Sequence, residues 1–256
     1  MVESARRGQD MTKKKNRMHI GTSGWQYAHW KGPFYPEHLG KGEFLRFYAA
    51  RFDSVEVNGT FYRLPSETTL DSWRENTPRG FLFAVKASRY ITHMKKLKDP
   101  EQTLPPFFRA IERLRKKLGP ILFQLPPKWA FNPARLYDFL EALPGGHRYA
   151  FEFRDPSWFD SRAVEALTER GAALCLYELA GRQSPRDVTA EFVYVRLHGP
   201  EKAYQGRYQR KALAGWAGAF SSWADQGREV FCYFDNDEAG YATMDAWDMQ
   251  TMLSAS

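Results

Sequence analysis

The chain is predicted to fold as a closed (β/α)8 barrel, α/β in class and a single domain. Three observations carry that prediction. Eight short hydrophobic runs recur along 256 residues, about the length such a barrel needs. Strand alternating with helix, eight times over, is the pattern of a parallel sheet closed on itself. Polar residues gather where the runs end, at the face on which barrels of this class carry their active sites. A doubly wound open sheet is the alternative. It would place a glycine-rich phosphate loop after the first strand, whereas Thr22-Ser23-Gly24-Trp25-Gln26-Tyr27 holds a single glycine.

Residues 1–17 are expected to form a disordered basic tail, with Met11 and Met18 as alternative starts, and residues 18–256 the barrel domain. The tail holds six basic residues against two acidic ones, a net of +4, which leaves +3 of the chain's +7 for the rest. The basic pI is therefore weak support for a nucleic-acid partner. The tail lacks an apolar segment of the kind a secretory signal needs. No run of about 18 apolar residues predicts a membrane span. Cys175 and Cys232 each sit inside an apolar run and read as buried thiols rather than a disulfide or metal pair. A cytoplasmic protein is the simplest expectation.

The elements follow in order. Strand one covers His19–Ser23, and the aromatics after it, Trp25, Tyr27, Trp30, Phe34 and Tyr35, either plug the rim or stack a sugar or base. A helix over 42–52 leads to strand two, Ser54–Val57, and a helix over 67–76 leads to strand three, Phe81–Lys86. Residues 87–104 look like a basic lid. A helix over 104–118 stops at Gly119, and strand four, Ile121–Gln124, is closed by Pro126-Pro127. The helix 132–142 starts at Asn132 with Pro133 in its first turn. Strand five is Tyr149–Phe153. The helix 161–170 starts at Asp160-Ser161 and stops at Gly171. Strand six is Ala173–Tyr177 and strand seven Phe192–Leu197. Residues 199–210 form a second candidate lid. A helix over 211–226, with Leu213, Trp216, Phe220 and Trp223 at helical spacing, precedes strand eight, Glu229–Phe234, and a last helix over 242–253 closes the chain.

Three strand ends carry polar residues at i and i+2: Glu56-Val57-Asn58, Glu152-Phe153-Arg154 and Arg196-Leu197-His198. Residues two apart in a strand share a face, and charges on a buried face need partners. Lys86, Gln124, Asp235 and Asn236 end other strands and join the set. Three carboxylates, Glu56, Glu152 and Asp235, balance Lys86, Arg154 and Arg196 without a metal, so neither metal nor cofactor is expected. Glu56 or Glu152 could be a general base, Lys86 an acid or an imine-forming nucleophile, and His198 a proton shuttle. Arg154 and Arg196 could clamp a phosphate or carboxylate. Asn58 before Gly59 also reads as a turn residue, and Gln124 as a backbone tie.

These segments resemble the domain-of-unknown-function 72 family of TIM-barrel proteins. The likeness rests on Gly21-Thr22-Ser23-Gly24-Trp25, Val55-Glu56-Val57-Asn58 with Thr60-Phe61-Tyr62-Arg63, Thr92-His93, Gln124-Leu125-Pro126-Pro127, Glu152-Phe153-Arg154 with Ser157-Trp158, and Tyr194-Val195-Arg196-Leu197-His198-Gly199. It covers about residues 18–253 and implies a TIM barrel without assigning a reaction. It adds Tyr62 and His93 to the residues expected to bind substrate. Asp235 and Asp245 stand where the family commonly has Asn. The functional expectation is an enzyme using acid–base chemistry on a small anionic metabolite, a sugar phosphate or sugar acid. A nucleic-acid binding barrel and a non-catalytic ligand-binding protein are the alternatives.

Overall fold

The computed structural model describes residues 18–255; the expected basic tail lies outside them. The strands are β1 (Met18–Thr22), β2 (Ser54–Val57), β3 (Leu82–Lys86), β4 (Leu118–Gln124), β5 (Tyr149–Glu152), β6 (Ala173–Leu179), β7 (Arg182–Gln183), β8 (Phe192–Leu197) and β9 (Glu229–Phe234). Eight of them run parallel around a barrel in the order β1-β9-β8-β6-β5-β4-β3-β2, and β7 pairs antiparallel with the end of β6. The ring closes at the C-terminal end, where Ser23 and Glu56 form a parallel bridge and Gly24 N donates to Glu56 O at 2.8 Å. Gly21 permits this approach of β1 to β2, since a Cβ there would stand 2.2 Å from Ser54 O.

The strands are buried on both faces, which is why they read as continuous apolar runs. Ala84, Leu122, Ala150, Cys175, Tyr194 and Tyr233 form one cluster, on the rows that face the barrel axis. Their alternates, among them Val85, Phe123, Phe151, Leu174, Val195 and Cys232, pack into the larger core beneath the helices. Both cysteines are buried free thiols, as their apolar surroundings suggest.

The helices are α1 (Phe44–Ala49), α2 (Gly59–Tyr62), α3 (Glu67–Glu75), α4 (Pro100–Ile111), α5 (Pro133–Ala142), α6 (Ser161–Arg170), α7 (Arg210–Asp225) and α8 (Tyr241–Ala255). The expected caps form: Asn132 accepts from Arg135 N, Asp160 accepts from Arg162 N, and Gly171 ends α6 at φ 65°. Two expectations fail. Gly119 is no helix stop but lies inside β4, where a Cβ would press on Phe83 O at 3.1 Å; the helix before it breaks at Arg115 (φ 53°). The eightfold alternation is also incomplete, because no helix lies between β6 and β8. Ala180 (φ 51°) and Gly181 (φ 73°) turn the chain back into β7 instead. Thr189 then stitches the return to β6, accepting from Leu174 N at 2.8 Å and donating to Ala172 O at 2.6 Å.

The rim aromatics plug rather than stand open. Trp25, Trp30 and Tyr35 are buried, Tyr35 stacks on Phe44 at 4.0 Å, and Trp25 meets Trp73 edge-on at 4.9 Å. The segment 87–104 is tied down by buried Leu97 and by a Lys95–Asp99 ion pair at 2.9 Å. Among the described residues no helix is long and apolar enough to cross a membrane.

At the N-terminal end of the barrel lies an ion network. His19 Nδ1 meets Asp53 at 2.9 Å and Nε2 meets Glu229 at 2.9 Å, while Arg148 bonds the other Glu229 oxygen. Burial opposes a charge on His19, but hydrogen bonds and charge from Asp53 and Glu229 outweigh it and raise the ring to about 9.

Candidate functional site at the barrel mouth

Arg196 organises the C-terminal mouth. It follows Tyr194 on the inward row of β8 and is almost wholly buried. Its Nη2 donates to Glu56 Oε1 at 2.7 Å, its Nη1 to Glu152 Oε2 at 2.7 Å, and its Nε again to Glu56 Oε1 at 3.1 Å. Asp235 Oδ2 stands 3.2 Å from Nη2. One guanidinium therefore joins carboxylates from β2, β5 and the end of β9. Ser23 Oγ and Tyr194 OH complete the shell of Glu56, each donating at 2.6 Å. Burial works against ionised Glu152, but Arg154 and Arg196 outweigh it and hold this carboxyl well below its ordinary range. Asp235 is lowered too: burial opposes its charge, while the His198 hydrogen bond and Arg196 favour it.

His198, two residues beyond Arg196, points the same way and is fully buried. Its Nε2 lies 2.9 Å from Arg154 Nη2, which can only donate. The ring proton is thereby assigned to Nδ1, which donates to Asp235 Oδ2 at 2.9 Å. Arg154 bonds Glu152 through Nε and lies over the Tyr177 ring at 5.1 Å. Its Nη1 takes part in no hydrogen bond among the described residues.

Lys86 differs from every other charge here. It ends β3 on the inward row, two residues after Ala84, and its ammonium lies 4.5 Å from the centre of the Phe61 ring. Among the described residues it forms no ion pair and no side-chain hydrogen bond. Burial, and then the charge of Arg196, lowers it to about 8, against the pull of Glu152, Glu56 and Asp235. His93 packs edge-on against the same Phe61 ring at 4.9 Å and is lowered by burial and by the charges of Lys86 and Arg89.

The mouth thus gathers Glu56, Glu152, Arg154, Arg196, His198 and Asp235 in one bonded cluster, with Lys86 and His93 beside it. Gln124 ends β4 in register with Glu152 and is half-buried. Asn58, half-buried before α2, has a buried Oδ1 without a hydrogen-bond partner. Tyr62 is 73% exposed at the rim. Asn236 turns away from the cluster: its Nδ2 donates to Gly206 O at 2.8 Å and to Asp245 Oδ2 at 2.7 Å, pinning the loop 199–210. That loop carries Tyr204 to 5.5 Å from the His198 ring. Tyr194 and Phe61 lie in the segments that carry the family resemblance but not among the site residues expected from the sequence. Tyr194 was detectable, since it precedes Arg196 by two residues and so shares its face.

No metal arrangement is formed by three or more His, Cys, Asp or Glu side chains among the described residues. The carboxylates that could have offered one are engaged by guanidinium groups.

The description "Protein of unknown function DUF72" matches residues 19–256. The chain belongs to this family. UPF0759 protein YecE of Escherichia coli K12 is 31% identical over 157 residues, covering 60% of this chain and 54% of that protein. The chain thus aligns with about half the length of that relative. UPF0759 protein YunF of Bacillus subtilis strain 168 is 24% identical over 92% of this chain and 94% of that protein. A crystal structure of a DUF72 family protein from Thermotoga maritima MSB8 superposes with a TM-score of 0.83 at 28% identity, covering 92% of this chain and 98% of that one. One from Enterococcus faecalis V583, 19% identical, gives a TM-score of 0.80 over 93% and 96% of the two chains, a likeness of fold alone. Eight parallel strands in a TIM-type barrel are therefore what this DUF72 chain has in common with its structural neighbours.

Proposed function

We propose that this DUF72 barrel is an enzyme that binds a small anionic metabolite, a sugar phosphate or sugar acid, at the C-terminal mouth and acts on it by acid–base chemistry. The observation that carries the reading is an imbalance of engagement. The carboxylates of the cluster are bonded to guanidinium groups, whereas Lys86 and Arg154 Nη1 keep donors that no acceptor among the described residues takes. Both side chains are half-buried, and an anionic ligand would add the opposite charge that Lys86, held against the Phe61 ring, does not meet among the described residues. Asn58, His93, Gln124 and Tyr62 are the neighbours available to orient it. Arg196 is assigned a positioning role rather than a ligand clamp, because Glu56, Glu152 and Asp235 take its donors. His198, with Asp235 on one ring nitrogen and Arg154 on the other, is the group available to move a proton. The two reduced thiols fit a cytoplasmic setting.

Thermal unfolding against a panel of sugar phosphates, sugar acids, nucleotides and short single-stranded DNA tests this reading. A ligand at 100 times its Kd stabilises by about 2.7 kcal/mol. Stabilisation by one small anion, abolished in Lys86→Met, is the expected result. A response to DNA alone that fades with salt would transfer the assignment to nucleic acid. Binding without turnover of the identified anion would leave a ligand-binding protein.

A further inference from the structure

We propose that Lys86 forms a covalent imine with a small carbonyl compound, an aldehyde, ketone or 2-oxo acid, at the barrel mouth. This deepens the reading above and rests on it, since it names the reactive group of the ligand that the mouth would hold.

The first support is placement. Lys86 reaches the mouth from the end of β3, lies against Phe61, and among the described residues meets no acceptor that would hold its proton. With the amine lowered to about 8, an appreciable fraction is unprotonated and nucleophilic near neutral pH. An ordinary lysine near 10.4 has almost none.

The second support is charge. Glu56, Glu152 and Asp235 face only two guanidinium groups, those of Arg154 and Arg196. With Lys86 neutral the cluster is one positive charge short. A protonated imine on the same nitrogen restores that charge beside the three carboxylates that attract it. The adduct therefore keeps the positive charge that these carboxylates favour in the ammonium.

The third support is a proton carrier on the same aromatic ring. Thr92 Oγ1 donates to Ser88 O at 3.3 Å and so accepts from His93 Nδ1 at 2.9 Å, which leaves the His93 Nε2 lone pair without a donor among the described residues. In the forward step the Lys86 amine attacks the carbonyl carbon, forming the C–N bond as the C–O π pair moves to oxygen. His93 takes one proton from nitrogen and returns it to that oxygen, giving the carbinolamine. A second proton, drawn from solvent, converts the hydroxyl to departing water while the nitrogen lone pair forms the C=N bond. Carbonyl, neutral amine and one proton are consumed, and protonated imine and water are produced. No oxidant or reductant takes part.

The test is reductive trapping on the full chain. The protein is incubated at pH 7 with pyruvate, glycolaldehyde or dihydroxyacetone phosphate and cyanoborohydride, and the adducts are located by peptide mass spectrometry. The expected result is a reduced adduct on Lys86 about tenfold or more above that on surface lysines, whose amines are protonated at this pH. In Lys86→Met the surface adducts should persist unchanged. Labelling of Lys86 no faster than surface lysines with every carbonyl would overturn the proposal. Thermal unfolding with inorganic phosphate and sugar acids, run in parallel, separates the two readings. Stabilisation by an anion without a Lys86 adduct overturns the imine and retains the anion site. A Lys86 adduct without any anion stabilisation supports the imine and overturns the anionic-ligand reading.

Discussion

The two ends of the barrel both carry buried charge, yet they use it differently. At the N-terminal end His19 has a carboxylate on each ring nitrogen and Arg148 reaches the second oxygen of Glu229. Each charge there has an opposite partner. At the C-terminal end the centre is equally well paired around Arg196, but the edge is not. Among the described residues Lys86 has the Phe61 ring but no ion pair or hydrogen bond, and Asn58 Oδ1 accepts nothing. Polarity alone therefore does not single out the mouth. Unmet hydrogen-bonding capacity at Lys86 and Asn58 supports the proposal for that end, although Thr103, Arg113 and Arg228 also hold unpartnered buried atoms elsewhere.

The largest effect is expected at Arg196. Arg196→Met leaves Glu56 buried without a counter-charge and Glu152 with Arg154 alone, and denaturant unfolding should show a loss of roughly 3–5 kcal/mol. Retention of wild-type stability would mean that the cluster is not the ion network described.

The N-terminal end is sharpened by pH. His19 is raised from its ordinary value near 6.5 to about 9, so its contribution is complete below 6.5 and is lost as pH rises through 9. His19→Gln should cost on the order of 2 kcal/mol at pH 6, screened by half-exposed Asp53. It should also flatten the decline of stability between pH 7 and 9.

Asp245 gives a smaller effect of the opposite sign. Burial raises its carboxyl to about 6, and both Tyr208 N and Asn236 Nδ2 use the same oxygen, Oδ2. A raised carboxyl stabilises the fold only while protonated, so stability falls as pH climbs from about 4 to 6. Asp245→Asn keeps that acceptor and removes the titration. It should gain about 1 kcal/mol at pH 8 in thermal or denaturant unfolding. A loss at pH 8 would show that the contact between Asp245 and Arg207 at 3.5 Å outweighs the burial.

The smallest effect on stability, and the most informative one, belongs to Lys86. Lys86→Met should change stability by less than about 1 kcal/mol, since no ion pair or hydrogen bond is broken. A large loss would place Lys86 with His19 as a structural charge.

Much of this was legible in the residues. The barrel strands stood out because burial on both faces makes each a continuous apolar run, and the i, i+2 pairs at 56–58, 152–154 and 196–198 located the mouth. What was not legible followed from distance and from short elements. Glu56 and Arg196 lie 140 residues apart, and no local pattern says that they meet. A four-residue helix such as α2 has no periodicity to detect. The sequence offers no helix between strands six and seven, where Gly181 and Pro185 are turn residues, so the eightfold alternation overstated the pattern at that crossover. Gly119 after three basic residues resembled a helix stop, whereas its small size serves the contact with β3. The N-terminal network was passed over because His19 and Glu229 read as ordinary strand starts.

The contrast between the two ends can be tested in one titration. Proton and carbon NMR of the protein, with its lysines carrying isotopic dimethyl labels, follows Lys86 and His19 together across pH 5–11. The account predicts an inverted order, with Lys86 titrating near 8 and His19 near 9. Lys86 titrating with the surface lysines near 10.4 would contradict the claim that the mouth holds a half-buried cation without an ion pair.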